Sequence, residues 1–232
     1  MDKSTRNVMM DMPIVDARVV EFLRDGQRQL IGELRNIQLY AFERKMPIIP
    51  HETAKFLQFL MSVLAPKRVL EVGTAIGFSA GLMALSAPDA NITTIDRYGL
   101  MIERAKENFK KLGVLDRVTL LEGDAENLLP EMLENDCSRF DFIFLDCAKS
   151  KYIEFLPLCL KLLSSDGAIM IDDIFQGGTI FDDESEVRHN RRKIYEGLNA
   201  LLREVNARTD LISTALPLGD GVLLIKKSGL TG

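Results

Sequence analysis

Only three cysteines and two histidines occur in the 232 residues. Cys137, Cys147 and Cys159 are odd in number and contain no C-x-x-C pair, which excludes a disulfide framework and a zinc cluster. His51 and His189 stand too far apart for a histidine-based metal site. No run approaches the roughly 18–20 consecutive apolar residues that a bilayer span needs, so no membrane partner is expected. The stretch Met1–Met12 mixes charge with methionine and lacks the apolar core of a signal peptide. A cytoplasmic location is therefore expected. Internal repeats, low-complexity tracts and Gly/Ser linkers are also missing. Nor is there an excess of positive charge: 29 basic against 34 acidic side chains give a net charge of −5. That balance argues against indiscriminate nucleic-acid binding, while leaving room for a local basic patch.

What is present is an ordinary globular composition, 47% hydrophobic and 27% charged. One domain over 1–232 is expected, with N-terminal helices in 1–65 and an α/β core in 66–232. Residues 14–45 read as helical, with Leu30, Leu34 and Ile37 on one face. Met46-Pro47-Ile48-Ile49-Pro50 breaks that helix. A second runs from His51 to before Ala65-Pro66, with Phe56, Leu57, Leu60 and Leu64 as its apolar face. The apolar N-terminal helix offers a contact for a homodimer. From Arg68 onward, short apolar runs at Arg68–Val72, Asn91–Asp96, Arg117–Leu121, Phe140–Leu145 and Ala168–Ile171 alternate with helical patterns. Continuously apolar strands alternating with helices predict a parallel sheet covered on both faces. A long charged helix from about Glu184 to Asn206 follows. Leu211–Leu216 and Gly221–Lys227 then flank the turn Pro217-Leu218-Gly219-Asp220 as a hairpin. Five parallel strands with a terminal hairpin depart from a plain dinucleotide-binding domain, which adds a sixth parallel strand.

The segment Val69 to Ser79 reads as strand, glycine turn and helix start. Gly73 lets the chain leave the strand tightly, and Gly77 allows close approach to a ligand. Ser79 and the free N–H groups of the helix can receive a carboxylate or phosphate. Such glycines also serve packing alone. The turn is G-x-x-x-G without a middle glycine, a poor cradle for a pyrophosphate. Glu71 can hold an ammonium group, Asp96 can take both ribose hydroxyls, and Gly123-Asp124-Ala125 can reach an adenine edge. A ligand with an amino acid at one end and a nucleoside at the other matches this order. S-adenosylmethionine fits; a dinucleotide fits less well.

The fourth and fifth strands run into Asp146-Cys147-Ala148-Lys149 and Asp172-Asp173. Neighbouring ends of a parallel sheet open into one crevice, so three carboxylates are expected to converge beside the cofactor. Hard oxygen ligands suit magnesium, with manganese or calcium as alternatives, and not zinc. The plainer reading is that each Asp caps the element after it. Lys149 is a base or a salt-bridge partner, and Tyr152 either contacts substrate or is an exposed tyrosine at a helix start with no such role. Cys147 reads as a small filler.

Glu71 to Ser79, Gly123-Asp124-Ala125, Asp146 to Lys149 and Asp172-Asp173 together resemble the cation-dependent O-methyltransferases. That family comprises the catechol and caffeoyl-CoA O-methyltransferases and their bacterial relatives. The likeness runs from about Met46 to Lys227, with the motifs in the family's order. It is similar above all to the bacterial tRNA 5-hydroxyuridine methyltransferases, through Met46-Pro47-Ile48-Ile49, Gly73 to Gly77, Arg191-Arg192 and Leu218 to Gly221. The resemblance implies a Rossmann-like class I S-adenosylmethionine-dependent methyltransferase fold. Its sheet is mostly parallel and seven-stranded, with a terminal antiparallel hairpin. Cofactor contacts are implied at Ile49, Glu71, Gly73, Ser79, Asp96, Asp124 and Ala125, with Gly77 and Asp146 counted among them. Metal ligands are implied at Asp146, Asp172 and Asp173, with Lys149 as base. One departure stands out: the family usually carries Asn at the position of Asp173.

The expected reaction is methyl transfer from a sulfonium, where alignment of the reactants can contribute about 7–11 kcal/mol. A cation holding two neighbouring oxygens serves 5-hydroxyuridine in tRNA, the leading expectation, and a small catechol-like acceptor alike. Arg188, Arg191, Arg192 and Lys193 form a basic cluster that either binds RNA phosphates or is a solvated helix face. A non-catalytic cofactor sensor and an NAD-dependent oxidoreductase are the readings from other classes.

Overall fold

The computed structural model describes residues 15–135 and 139–229. Met1–Met12 and Cys137 lie outside the described residues.

Seven strands form one sheet: β1 (Arg68–Val72), β2 (Asn91–Asp96), β3 (Val118–Glu122), β4 (Phe140–Leu145), β5 (Leu163–Ile171), β6 (Leu211–Leu216) and β7 (Val222–Lys227). Their spatial order is β3-β2-β1-β4-β5-β7-β6. β1 pairs in parallel with β2 on one side and β4 on the other, so Val69 lies between Ile92 and Phe142. β7 enters antiparallel to both β5 and β6, and it alone opposes the other six. The helices are α1 (Ala17–Glu21), α2 (Gly32–Glu43), α3 (His51–Leu64), α4 (Phe78–Ser86), α5 (Gly99–Leu112), α6 (Ala125–Glu134), α7 (Tyr152–Leu162) and α8 (Arg192–Ala207).

The strands are apolar along their whole length because both faces are covered. Val69, Phe142, Phe144 and Met170 point into one core with Leu57 and Met61 of α3 and Ala80 and Leu82 of α4. Their neighbours Leu70, Ile143, Leu145 and Ile169 alternate to the other face and meet Phe155, Leu156 and Cys159 of α7 and Leu198 of α8. Burying each such leucine or phenylalanine contributes roughly 1.5–3 kcal/mol. The two cores cover both faces of β1 and β4 at the centre of the sheet.

Two expected helices differ. Residues 14–45 are not one helix: α1 gives way to a π-turn at Phe22–Gly26, and the chain runs extended before α2. Gly26 permits the break, since a Cβ there would meet the Phe22 ring at 2.7 Å. Arg24 then holds the turn against α3 by a bidentate pair with buried Glu52, at 2.7 and 3.0 Å. The charged segment from Glu184 is also interrupted. It forms 3-10 turns at Glu184–Glu186 and His189–Arg191, separated by extended Val187 and Arg188, and α8 begins only at Arg192. Asp183 caps the first of these turns through the Ser185 N–H, which closes it before a helix can propagate. Among the described residues, no helix is long and apolar enough to cross a membrane.

Candidate active site

The carboxyl ends of β1, β2, β4 and β5 and the β6–β7 turn meet at one edge of the sheet, where open α/β sheets bind ligands. Gly73 makes this convergence possible. Its φ is +109°, and a Cβ there would run into the main-chain carbonyl of Asp146. The Asp146 N–H in turn donates to the Val72 carbonyl at 3.0 Å, so the two strand ends continue side by side into the site. Gly77 does something else. With φ +77° its missing Cβ leaves room for the Phe109 ring and Ala105 of α5, so its freedom is used for helix packing rather than kept open for a ligand.

Glu71 is fully buried on β1. One carboxyl oxygen accepts from the Thr94 hydroxyl at 2.5 Å, while Oε1 has no partner. Burial pushes its pKa up to about 8, against hydrogen bonds from Ser79 and Thr94 that favour the charged form; Asp146 and Asp96 raise it further. A buried carboxyl with a free oxygen is a receptor for an ammonium group, whose arrival would restore its charge. Asp96 is held by two main-chain donors, Ala75 N–H at 2.8 Å and Tyr98 N–H at 2.9 Å. Its carboxylate therefore stands fixed at the end of β2, suited to a pair of hydroxyls. Asp124 has both oxygens engaged. Oδ1 caps α6 through Glu126 N–H at 3.0 Å, and Oδ2 accepts from Arg97 at 2.6 Å, which keeps its pKa low. Ala125 opens α6 beside it. Ile49 is a buried core residue whose side chain has no polar atom to offer.

Sequence reasoning missed Arg97 and Tyr98, although both follow Asp96 directly. The Arg97 guanidinium lies 5.2 Å from the centre of the Tyr98 ring and bridges to Asp124, tying the ends of β2 and β3 together at the rim.

On the acidic side, Asp172 is buried and its Oδ1 takes no hydrogen bond. Burial raises its pKa well above the carboxylate range, and the charges of Asp173 and Asp146 add to this. Desolvation brings Asp146 to about 7, with the charge of Asp173 acting in the same direction. Asp173 adopts φ +57°, in the left-handed region that favours glycine and asparagine. Its Oδ2 lies 3.0 Å from Lys149 Nζ. Asp220 completes the cluster: fully buried at the β6–β7 turn, it stands 3.8 Å from the same ammonium. Burial, then the charge of Asp173, lifts Asp220 to about 6. Tyr152 is not an exposed tyrosine. It is completely buried and its hydroxyl is unpartnered; burial, with the charge of Asp146 acting in the same direction, raises its pKa well above the ordinary phenol value. Burial likewise pushes the Cys147 thiol far up, which removes it as a ligand or nucleophile.

The structure thus brings Asp146, Lys149, Asp172 and Asp173 together, with Glu71 on the adjacent strand. Among the described residues, no group of three or more His, Cys, Asp or Glu side chains is ready-made to hold a metal ion. The donor set nevertheless fits a hard cation: the oxygens are carboxylate, Asp172 Oδ1 is buried and orphaned, and the charges repel one another. What stands in the way is the Lys149 ammonium on Asp173.

The strand order and the single antiparallel β7 define a class I methyltransferase fold. Residues 23–228 match the sequence profile of the O-methyltransferase family, and the chain belongs to that family. It is 33% identical over 210 residues to a caffeoyl-CoA O-methyltransferase of Populus kitakamiensis, covering 87% of this chain and 88% of that one. Against a catechol O-methyltransferase of Niastella koreensis it is 31% identical over 147 residues, 62% of this chain and 66% of the other. A solved Podospora anserina methyltransferase bound to SAH superposes with a TM-score of 0.79 at 27% identity, covering 91% of this chain and 94% of that one.

Proposed function

We propose that this O-methyltransferase moves the methyl group of S-adenosylmethionine onto one oxygen of a neighbouring pair on a small catechol-like acceptor. Support for the donor comes from the free Oε1 of buried Glu71, placed for an ammonium, and from the fixed carboxylate of Asp96, placed for a ribose. The Podospora protein carries SAH, which is what this donor becomes once its methyl group has left. The acceptor class is supported by the caffeoyl-CoA and catechol enzymes to which the chain is similar. The observation that carries the reading is the set of repelling carboxylates of Asp146, buried Asp172 and Asp173, at the ends of the two strands that follow β1 in the sheet order.

Asp146, Asp172 and Asp173 would hold the divalent cation. When bound, it supplies a positive charge that orients two acceptor oxygens and stabilises the developing oxyanion. Glu71 anchors the amino-acid end of the donor, and Asp96 its ribose. Arg97 and Asp124 close the rim at the nucleoside end. Lys149 would receive the hydroxyl proton as the neutral amine, its own ammonium proton having first passed to solvent. The new carbon–oxygen bond forms as the carbon–sulfur bond breaks, and sulfur keeps the electron pair. Calorimetry tests the donor assignment: S-adenosylmethionine should bind and NAD should not, and tight NAD binding alone would overturn it.

A second acceptor, 5-hydroxyuridine in tRNA, is favoured by one observation. Arg188, Arg191, Arg192 and Lys193 are all exposed on the segment that follows the acidic loop. Arg188 and Arg191 precede α8, so the four do not form a single helical stripe. Such a cluster suits phosphates spaced along a strand.

A further inference from the structure

Asp220 is the buried charge that the proposed reaction has not used. Its Oδ1 accepts from Gly177 N–H at 2.6 Å. Its main-chain carbonyl accepts from Phe175 N–H at 2.9 Å, and Ile174 N–H reaches the Gly221 carbonyl at 3.1 Å. These bonds fasten the β6–β7 turn to the loop that leaves Asp173. The second oxygen, Oδ2, has no hydrogen bond, and its nearest charge is Lys149 Nζ at 3.8 Å. Lys149 Nζ also lacks an aligned hydrogen bond, although it stands 3.0 Å from Asp173 Oδ2.

Sharing Asp173 between an ammonium and a divalent cation is unfavourable, because the two cations repel at that range. A buried ammonium stripped of its carboxylate is strongly disfavoured and needs another partner. Among the described residues, the unpartnered oxygen already beside it is Asp220 Oδ2. We infer that Asp220 is the seat to which the Lys149 ammonium moves when Asp173 takes up a divalent cation, so that Asp220 positions the lysine that serves as base once its proton has left. A change of side-chain rotamer suffices, since the second carboxylate is already 3.8 Å away. Two main-chain bonds, and the Gly177 N–H bond to Asp220 Oδ1, hold the turn against the loop while the lysine changes partner. The inference rests on the cation-assisted reading above.

Asp220→Asn is the direct variant, because its amide oxygen can still accept the Gly177 N–H. With a neutral seat, Lys149 stays on Asp173 and competes with the cation. Mn²⁺ affinity, titrated calorimetrically without acceptor, should fall roughly tenfold, the size of a coupling between neighbouring charged groups. The kcat at saturating Mn²⁺ should drop while KM for S-adenosylmethionine holds. In a Lys149→Met background, no ammonium needs a seat, and the same Asp220→Asn change should alter Mn²⁺ affinity by less than about twofold. Equal losses in both backgrounds would show that Asp220 serves structure or attracts the cation directly, and would overturn the inference. Should Asp220→Asn not fold, a crystal structure of the unaltered protein with Mn²⁺ decides. Lys149 Nζ should lie within hydrogen-bond distance of Asp220 Oδ2, and an ammonium still on Asp173 contradicts the inference. If Mn²⁺ fails to bind the unaltered protein at all, the cation-assisted reading itself falls, and this inference with it.

Discussion

Lys149 and Asp173 form an ion pair at 3.0 Å whose acidic member sits in a left-handed conformation, with φ +57°. The pair is nearly enclosed, with side-chain exposures of 8% and 13%. The backbone shape is one that asparagine tolerates well, and the resemblance places asparagine at this position in the family. Aspartate there adds a charge that both the ammonium and a cation can use. Asp173→Asn should therefore weaken cation affinity less than Asp172→Asn does, because losing the charge also frees the site from Lys149. Side-by-side Mn²⁺ titrations of the two variants check this, and a larger loss in Asp173→Asn would contradict it.

Glu71 makes stability depend on pH. Its pKa is about 8 in the fold against an ordinary value of 4.5, so the folded protein keeps this proton over a range where the unfolded chain has lost it. Stability from this group is therefore full below about pH 4.5, falls as pH rises, and is lost by about pH 8. Glu71→Gln removes the pH-dependent part. In urea melts of the ligand-free protein, the variant should match the parent near pH 4 and exceed it at pH 8, by an amount on the order of a few kcal/mol. The same variant should bind S-adenosylmethionine less well. Equal stability at both pH values would show that Glu71 is already ionised.

Arg24 and Glu52 anchor the N-terminal turn to α3 by a bidentate pair with side-chain exposures of 15% and 3%. Arg24→Ala strands a buried carboxylate, which typically costs about 3–5 kcal/mol. Denaturant unfolding should show that loss. Arg24→Ala/Glu52→Gln, which removes the stranded charge, should recover part of it.

For the basic segment, Arg191→Ala/Arg192→Ala should leave methyl transfer to a small catechol nearly unchanged, since neither residue belongs to the strand-end cluster. If tRNA is an acceptor, its methylation should drop in this variant and, in the parent, fall steeply with salt through counterion release. A tRNA rate insensitive to both changes would remove RNA from consideration.

The sheet was legible because its evidence is local. Phe140–Leu145 is apolar at every position but one, and Gly73 and Asp96 declare themselves at strand ends. Asp146, Asp172 and Asp173 follow from the rule that neighbouring strand ends share a crevice. Asp220 was visible only as a turn residue; its role depends on contacts with Gly177 and Lys149, which no local pattern encodes. Tyr152 was misjudged because a helix start is usually exposed, whereas here it lies buried among the residues of the second core. The two helix errors share one cause. Helical spacing persists through Phe22–Ile31 and Glu184–Arg191, but a tertiary ion pair and a capped turn override it.

The most direct test of cation-assisted methyl transfer is the rate of methylation of a small catechol or caffeoyl-CoA from S-adenosylmethionine, measured in EDTA and after adding back Mg²⁺ or Mn²⁺. EDTA should abolish turnover and the metal should restore it in the unaltered protein, while Asp172→Asn should stay nearly inactive at the same metal concentration. Undiminished turnover in EDTA, or full activity of Asp172→Asn in chelator, would contradict the account.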